Sequence, residues 1–282
     1  MALFRALESA RPVGARLFED RFARGFLGPW LALALRAARV PLLGAVVPWF
    51  IDRKWPGARS SGIARTRLID DMLGAALADG IGQVVILGAG FDCRAYRLPA
   101  LARARVLEVD HPDTSAAKRE HLGRLLGAPP AHVTFVALDF DRQDLAAALA
   151  AAGFDRARRT FFVWEGVTNY LTEGAVDAVL RFVGGTARDG RLCFTYVHRG
   201  VLDGSTRFEG TERLALTLAR AGEPWTFGLD PAALPGYLEA RGLRLLEDLG
   251  ATEYRARYMP SGGLGMTGYE FYRVALARVA DR

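Results

Sequence analysis

Val84-Val85-Ile86-Leu87-Gly88-Ala89-Gly90-Phe91-Asp92 is the stretch that decides the fold. An unbroken apolar run that ends in Gly-x-Gly reads as a strand buried on both faces that turns into a ligand-holding loop. Outward from it, Val106-Leu107-Glu108-Val109-Asp110 closes a second apolar run on an acid. That acid stands about twenty residues past the glycines, the spacing at which a Rossmann-like sheet presents a carboxylate to a ribose. Gly88 and Gly90 lack a Cβ and let the backbone approach a nucleoside, while Asp110 can accept two ribose hydroxyl hydrogen bonds.

What the loop lacks selects the nucleoside. A dinucleotide fingerprint needs a third small residue three places after the second glycine, where a helix N-terminus opens to a pyrophosphate. Cys93 occupies that place and Asp92 precedes it. A carboxylate there repels pyrophosphate and tolerates a cationic amino-acid tail. S-adenosylmethionine carries a sulfonium and an amino group and no phosphate, so it is the expected cofactor in preference to NAD. A non-catalytic cofactor-binding protein and an NAD-dependent oxidoreductase are the readings from other classes.

A chain of 282 residues, 51% hydrophobic, can bury a full core and is expected to form one α/β domain. The net charge of +6 invites a nucleic-acid reading, but Lys54 and Lys118 are the only lysines and the arginines are interspersed with acids. A phosphate-tracking stripe with interleaved aromatics is missing, so no nucleic-acid partner is expected. Cys93 and Cys193 are too few for a disulfide framework and lack metal-ligand spacing, which fits a reducing cytoplasm and no metal.

The apolar N-terminal stretch from Phe26 to Ile51 is broken by Pro29, Arg36, Arg39, Pro41 and Pro48, so no span of about twenty residues survives to cross a bilayer. It is read as two short helices capping the cofactor site, with a membrane-surface role as the alternative. The expected layout is a helical cap over 1–60, a cofactor-binding core over 61–198, a substrate-side insertion over 199–235 and closing strands over 236–282.

Within that layout Arg65 to Leu77 reads as a helix, Gln83 to Leu87 as the first strand and Val133 to Leu138 as the third, ending in Asp139. Asp141 is the expected cap of the Ala-rich helix that follows. Thr160 to Trp164 is the fourth strand with Glu165 at its end, Thr172 caps the next helix, and Arg191 to Val197 is the fifth strand. A helix is expected near Glu212 to Arg220. Arg244 to Leu249 and Tyr269 to Ala277 are the last strands, joined through a flexible loop at 261–265. Gly88, Gly90, Asp110, Asp139 and Glu165 thus fall at the carboxyl ends of parallel strands, the edge at which open α/β sheets bind ligands. Glu165 directly follows Phe161-Phe162-Val163-Trp164, so it needs a cationic partner, for which the ammonium of a methionine tail qualifies.

Taken together, Arg65-Thr66-Arg67, Leu87 to Asp92, Glu108 to Pro112, Leu138-Asp139-Phe140 and Trp164-Glu165-Gly166-Val167-Thr168-Asn169-Tyr170-Leu171 resemble the leucine carboxyl methyltransferase family and its bacterial relatives. Glu223 to Gly228 resembles a further motif of the bacterial branch. The resemblance implies a Rossmann-like seven-stranded methyltransferase sheet, with Gly88, Gly90 and Asp110 on the adenosyl part. It implies Asp139 and Phe140 at the adenine, Arg65 (or its neighbour Arg67) at the methionine carboxylate, and Glu165 near the methionine end.

Transfer of a sulfonium methyl requires chiefly alignment and exclusion of water. A carboxylate acceptor, with a pKa near 4, needs no base, whereas a phenol near 10 does. Of the four histidines, His121 and His132 are expected away from the rim and His111 beside the ribose acid. His198, at the end of the fifth strand, and Tyr170 are the catalytic candidates on the acceptor side. Trp30, Trp49, Trp225 and Phe227 are candidate walls for an apolar small molecule, and Arg199 or Arg207 for its carboxylate. The expected activity is O-methylation, forming a methyl ester on a small natural-product acid, with phenol or enol methylation as the alternative.

Overall fold

The computed structural model describes residues 1–37, 45–209, 211, 224–259 and 265–281. Seven strands, β1 (Gln83–Leu87), β2 (Arg105–Asp110), β3 (Val133–Ala137), β4 (Thr160–Trp164), β5 (Arg191–Val197), β6 (Leu243–Leu249) and β7 (Tyr272–Val279), form one sheet in the order β3-β2-β1-β4-β5-β7-β6. The first five run parallel, and β7 inserts antiparallel between β5 and β6.

The apolar run that opens the sequence analysis is a central strand because helices cover both faces. Val85 and Leu87 point into one core with Phe162, Trp164, Phe194 and Tyr196, closed by α7 (Leu145–Ala151), α8 (Glu173–Gly184) and α10 (Leu234–Glu239). Val84 and Ile86 point to the other, with Phe161, Val163 and Cys193, against α4 (Ala58–Ala78) and α11 (Ala251–Tyr258). The two-residue period is thus intact, but with two buried faces it reads in sequence as an unbroken apolar block.

Strand order reverses between β1 and β4, opening a crevice at their carboxyl ends. The register pairs Leu87 with Val109 and Ile86 with Val163, so Gly88, Asp110 and Glu165 emerge on one rim. The remaining helices are α1 (Ala2–Ser9), α2 (Pro29–Ala37), α3 (Val46–Lys54), α5 (Arg94–Arg97), α6 (Pro112–Leu126) and α9 (Gly200–Asp203).

Several boundaries differ from expectation for local reasons. Helix α4 starts at Ala58, seven residues before Arg65, because Gly57 at φ 77° supplies the turn out of α3. The Ala-rich α7 is capped by Asp144, whose carboxylate accepts from the Ala147 N–H at 2.7 Å; Asp141 lies too early. Strand β7 starts at Tyr272, after a turn in which Tyr269 holds φ 67°. Thr172 sits where expected, at the N-cap of α8, and Pro112 occupies the first turn of α6, where its missing N–H costs nothing. The helix expected over 212–220 and four residues of the loop over 261–265 lie outside the described residues. No helix among the described residues is long and apolar enough to cross a membrane.

Candidate cofactor and acceptor site

The turn after β1 is built for close approach. Gly88 holds φ 63°, and a Cβ there would lie 2.2 Å from Val167 Cγ2; Gly90 holds φ 40°, and a Cβ there would meet only the Gly88 carbonyl at 3.9 Å and Asp110 Oδ2 at 4.0 Å. Asp110 fastens this turn to β2: one carboxylate oxygen accepts from the Gly90 N–H and the other from the His111 N–H at 2.7 Å. Each oxygen keeps a further lone pair for a ligand hydroxyl. Beneath the turn, the buried Lys118 ammonium stands 2.8 Å from Glu108 and 3.5 Å from the Ala89 carbonyl.

Glu165 is half-buried at the end of β4. Its Oε1 accepts from Arg65 Nε at 2.9 Å and its Oε2 from Arg94 Nη1 at 2.8 Å. Arg94 also donates to Asp92 and, at 2.8 Å, to Asp70; Asp70 accepts from Arg97 at 2.7 Å; Arg5 donates to Asp20 at 2.8 Å, with Arg97 3.9 Å away. Four arginines and four carboxylates therefore alternate from the N-terminal helix to the rim. Burial alone would raise the Glu165 carboxyl, yet Arg94 and Arg65 outweigh it and hold it at about 2. Two cationic partners of Glu165 are thus supplied by this chain itself. Asp92, expected to favour a cationic tail, is likewise paired with Arg94.

Arg65, not Arg67, is the arginine at the rim. Its guanidinium lies 4.5 Å from the centre of the Tyr272 ring, whereas Arg67 pairs with Asp71 at 2.9 Å on a more exposed face of α4. Asp139 follows β3, accepting from the Asp141 N–H at 3.1 Å, with Phe140 half-buried against the core beside it.

On the acceptor side, Gly166 at φ 75° turns the chain into a short 3-10 helix, Thr168–Tyr170, leaving Tyr170 40% exposed. His198 is half-buried after β5, and its Nδ1 accepts from the Gly200 N–H at 3.0 Å. Its ring packs 5.2 Å from Phe208, which continues through Phe271 to Tyr269 and Trp225. Of the other candidate walls, Phe227 belongs to the core and also borders the cavity beside Arg199, whereas Trp30 and Trp49 are 82% and 52% exposed. Arg199 lines a shallow cavity of about 280 Å³ with Glu173 and Thr226, and Arg207 is exposed. His121 is closer to the rim than expected, its ring tilted against Phe26 at 5.5 Å and Phe91 at 6.0 Å next to the glycine turn.

Sequence reading missed Arg94, Asp70 and Arg97, which look like ordinary surface charges along the chain. It also missed Lys118, whose rarity as one of two lysines beside 35 arginines was the available signal. The residues present fit an adenosyl sulfonium without phosphate. Gly90 leaves a cradle that a Cβ would enter, Asp110 retains acceptor capacity, and Arg94 Nη2 is a buried donor without a partner among the described residues.

A model of the leucine carboxyl methyltransferase family matches residues 1–184. A Frankia alni protein provisionally described as an S-adenosyl-L-methionine-dependent methyltransferase is 36% identical over 215 residues, covering 74% of this chain and 70% of the relative. A Mycolicibacterium smegmatis protein of the same description is 34% identical over 255 residues, covering 83% and 79%. The crystal structure of a provisionally assigned Thermobifida fusca methyltransferase shares the fold at a TM-score of 0.56 and 17% identity, over 99% of this chain and 94% of that one. The chain belongs to the leucine carboxyl methyltransferase family, and it is an S-adenosylmethionine-dependent methyltransferase.

Proposed function

We propose that the methyl group is delivered to an oxygen of a small natural-product acceptor, a carboxylate in preference to a phenol or enol. The observation that carries this reading is the state of His198. Because Nδ1 accepts from the Gly200 N–H, the tautomer that fits this bond has its proton on Nε2, which makes that nitrogen a donor and not a base. The nearby phenols of Tyr269 and Tyr272 are pushed up by burial, Tyr269 to about 12, so they do not take protons at neutral pH. A rim that donates hydrogen bonds suits an acceptor that is already ionised.

When bound, S-adenosylmethionine supplies a methyl group on a sulfonium, open to in-line displacement by the acceptor oxygen. In this reading Gly88 and Gly90 admit the adenosyl part, Asp110 holds the ribose hydroxyls, and Asp139 with Phe140 brackets the adenine. Arg65 binds the methionine carboxylate. Glu165 acts on both Arg65 and Arg94, fixing their guanidinium planes in a site with little water. Tyr170 and the Nε2–H of His198 hold the acceptor oxygen on the far side of the methyl group.

The test is methyl transfer from labelled S-adenosylmethionine to matched panels of carboxylic acids and phenols, with base-labile methyl esters counted separately. Ester formation across the acid panel is expected. Turnover confined to phenols, with loss of activity in His198→Gln, refutes the carboxylate assignment. Calorimetry with S-adenosylhomocysteine and NAD is expected to show binding of the first alone.

A further inference from the structure

Helices α2 and α3 carry apolar residues on the wrong side for a protein surrounded by water. Leu35 and Ile51 are buried with Ala6, Leu7 and Ala23, which accounts for one face of each helix. On the outward face Trp30 is 82% exposed, Leu33 56%, Trp49 52% and Phe50 55%, joined by Leu31 and Val46. Single exposed apolar residues are ordinary; two tryptophans, a phenylalanine and three aliphatics on two adjacent helices form a patch that calls for a partner.

Charge identifies the partner. Residues 21–59 contain seven basic side chains and the single acid Asp52, leaving thirty residues of each sign in the rest of the chain. The whole positive excess of the protein is therefore concentrated in this segment. Asp52 is itself neutralised by Arg59, so it opposes none of the others. Arg24, Arg36 and Arg53 are exposed and make no ion pair among the described residues, while Lys54 lies 5.8 Å from the centre of the Phe50 ring, bordering the same patch. Indole rings flanked by basic side chains on short amphipathic helices match the boundary between lipid headgroups and acyl chains, where tryptophan concentrates and anionic headgroups attract arginine.

We propose that the outward face of α2 and α3 docks the protein on an anionic lipid surface, lying in the interface without spanning it. The patch is rooted near the cofactor crevice: the short 3-10 helix Ala23–Phe26 directly precedes α2, and Phe26 stacks 4.7 Å from Phe91 beside Gly90. The proposal does not depend on which acceptor is methylated.

The experiment is co-sedimentation of the intact protein with vesicles of phosphatidylcholine alone or mixed with phosphatidylglycerol. Binding to the mixed vesicles, released by salt and weak on phosphatidylcholine alone, is expected. Neutralising Arg36 or Arg53 (R36Q, R53Q) should weaken partitioning about fivefold each. The double variant W30S/W49S should weaken it at least tenfold on the scale of about 25 cal/mol per Å² of apolar surface, with an unchanged melting temperature because both side chains are exposed. Equal or absent binding to the two vesicle types overturns the proposal. So does concentration-dependent self-association of the free protein that W30S/W49S abolishes, since that result assigns the patch to a second copy.

Discussion

Replacing Glu165 by glutamine removes the one carboxylate that joins Arg65 to Arg94. The magnitude follows from the site. At about 1.4 kcal/mol per pH unit, a carboxyl carried from 4.5 to about 2 represents roughly 3 kcal/mol of stability at neutral pH. The glutamate side chain is 15% exposed, so solvent screens little of this. The loss falls unevenly. Arg94 keeps Asp92 and Asp70, but Arg65, 5% exposed, has Glu165 as its one ion-pair partner among the described residues. Uncompensated charge at a buried arginine is expensive, about 3–5 kcal/mol in well-buried cases, which agrees in magnitude with the roughly 3 kcal/mol derived from the carboxyl. The pH dependence has a definite sign. The folded-state carboxyl is depressed, so its contribution is complete above 4.5 and fades as pH falls toward about 2. Urea titrations of the wild type and Glu165→Gln should therefore differ by roughly 3 kcal/mol at pH 7, and the gap should close progressively below pH 4.5. Equal midpoints at pH 7, or a gap that persists unchanged into acid, would refute the argument that Glu165 is held ionised by this chain's own arginines.

Other substitutions probe separate parts of the site. Gly88→Ala places a methyl group against Val167 at a positive φ and is expected to cost roughly 2–4 kcal/mol and most cofactor binding; adding Val167→Ala should recover the steric part only, as read by thermal melting. Asp110→Ala should lose on the order of 2–3 kcal/mol of S-adenosylhomocysteine affinity by calorimetry, and Asp110→Asn less, because the amide oxygen still accepts from the Gly90 N–H. Unchanged affinity in Asp110→Ala would remove that residue from the ribose. Lys118→Met strands Glu108, whose carboxyl burial already pushes up, so its penalty of about 3–5 kcal/mol should grow as pH rises above 4.5. Lys118→Met/Glu108→Gln should be markedly more stable than the single variant in denaturant titration, and failure to recover would mean the pair is not the cause.

The strands and their rim were legible because a parallel sheet covered on both faces imprints itself locally: apolar blocks, each ended by Gly or an acid. Cap positions were legible only to within a few residues, since Asp139, Asp141 and Asp144 look alike until helix geometry picks Asp144. The partner of Glu165 was not legible. Arg94 lies 71 residues away in the chain and Arg65 lies 100 away, and no local pattern encodes that pairing. Nor was the outward face of α2 and α3, where an apolar helix reads the same whether it is buried or exposed.

The sequence by itself determined the sheet, the glycine turn, the acid that closes the second strand and the cofactor class, because each depends on residue types at short fixed spacings. Tertiary structure alone decided which charges neutralise one another, which nitrogen of His198 accepts a backbone hydrogen bond and which apolar side chains remain at the surface. Those outcomes depend on distances between segments far apart in the chain, and electrostatics and burial act through space, not along the backbone.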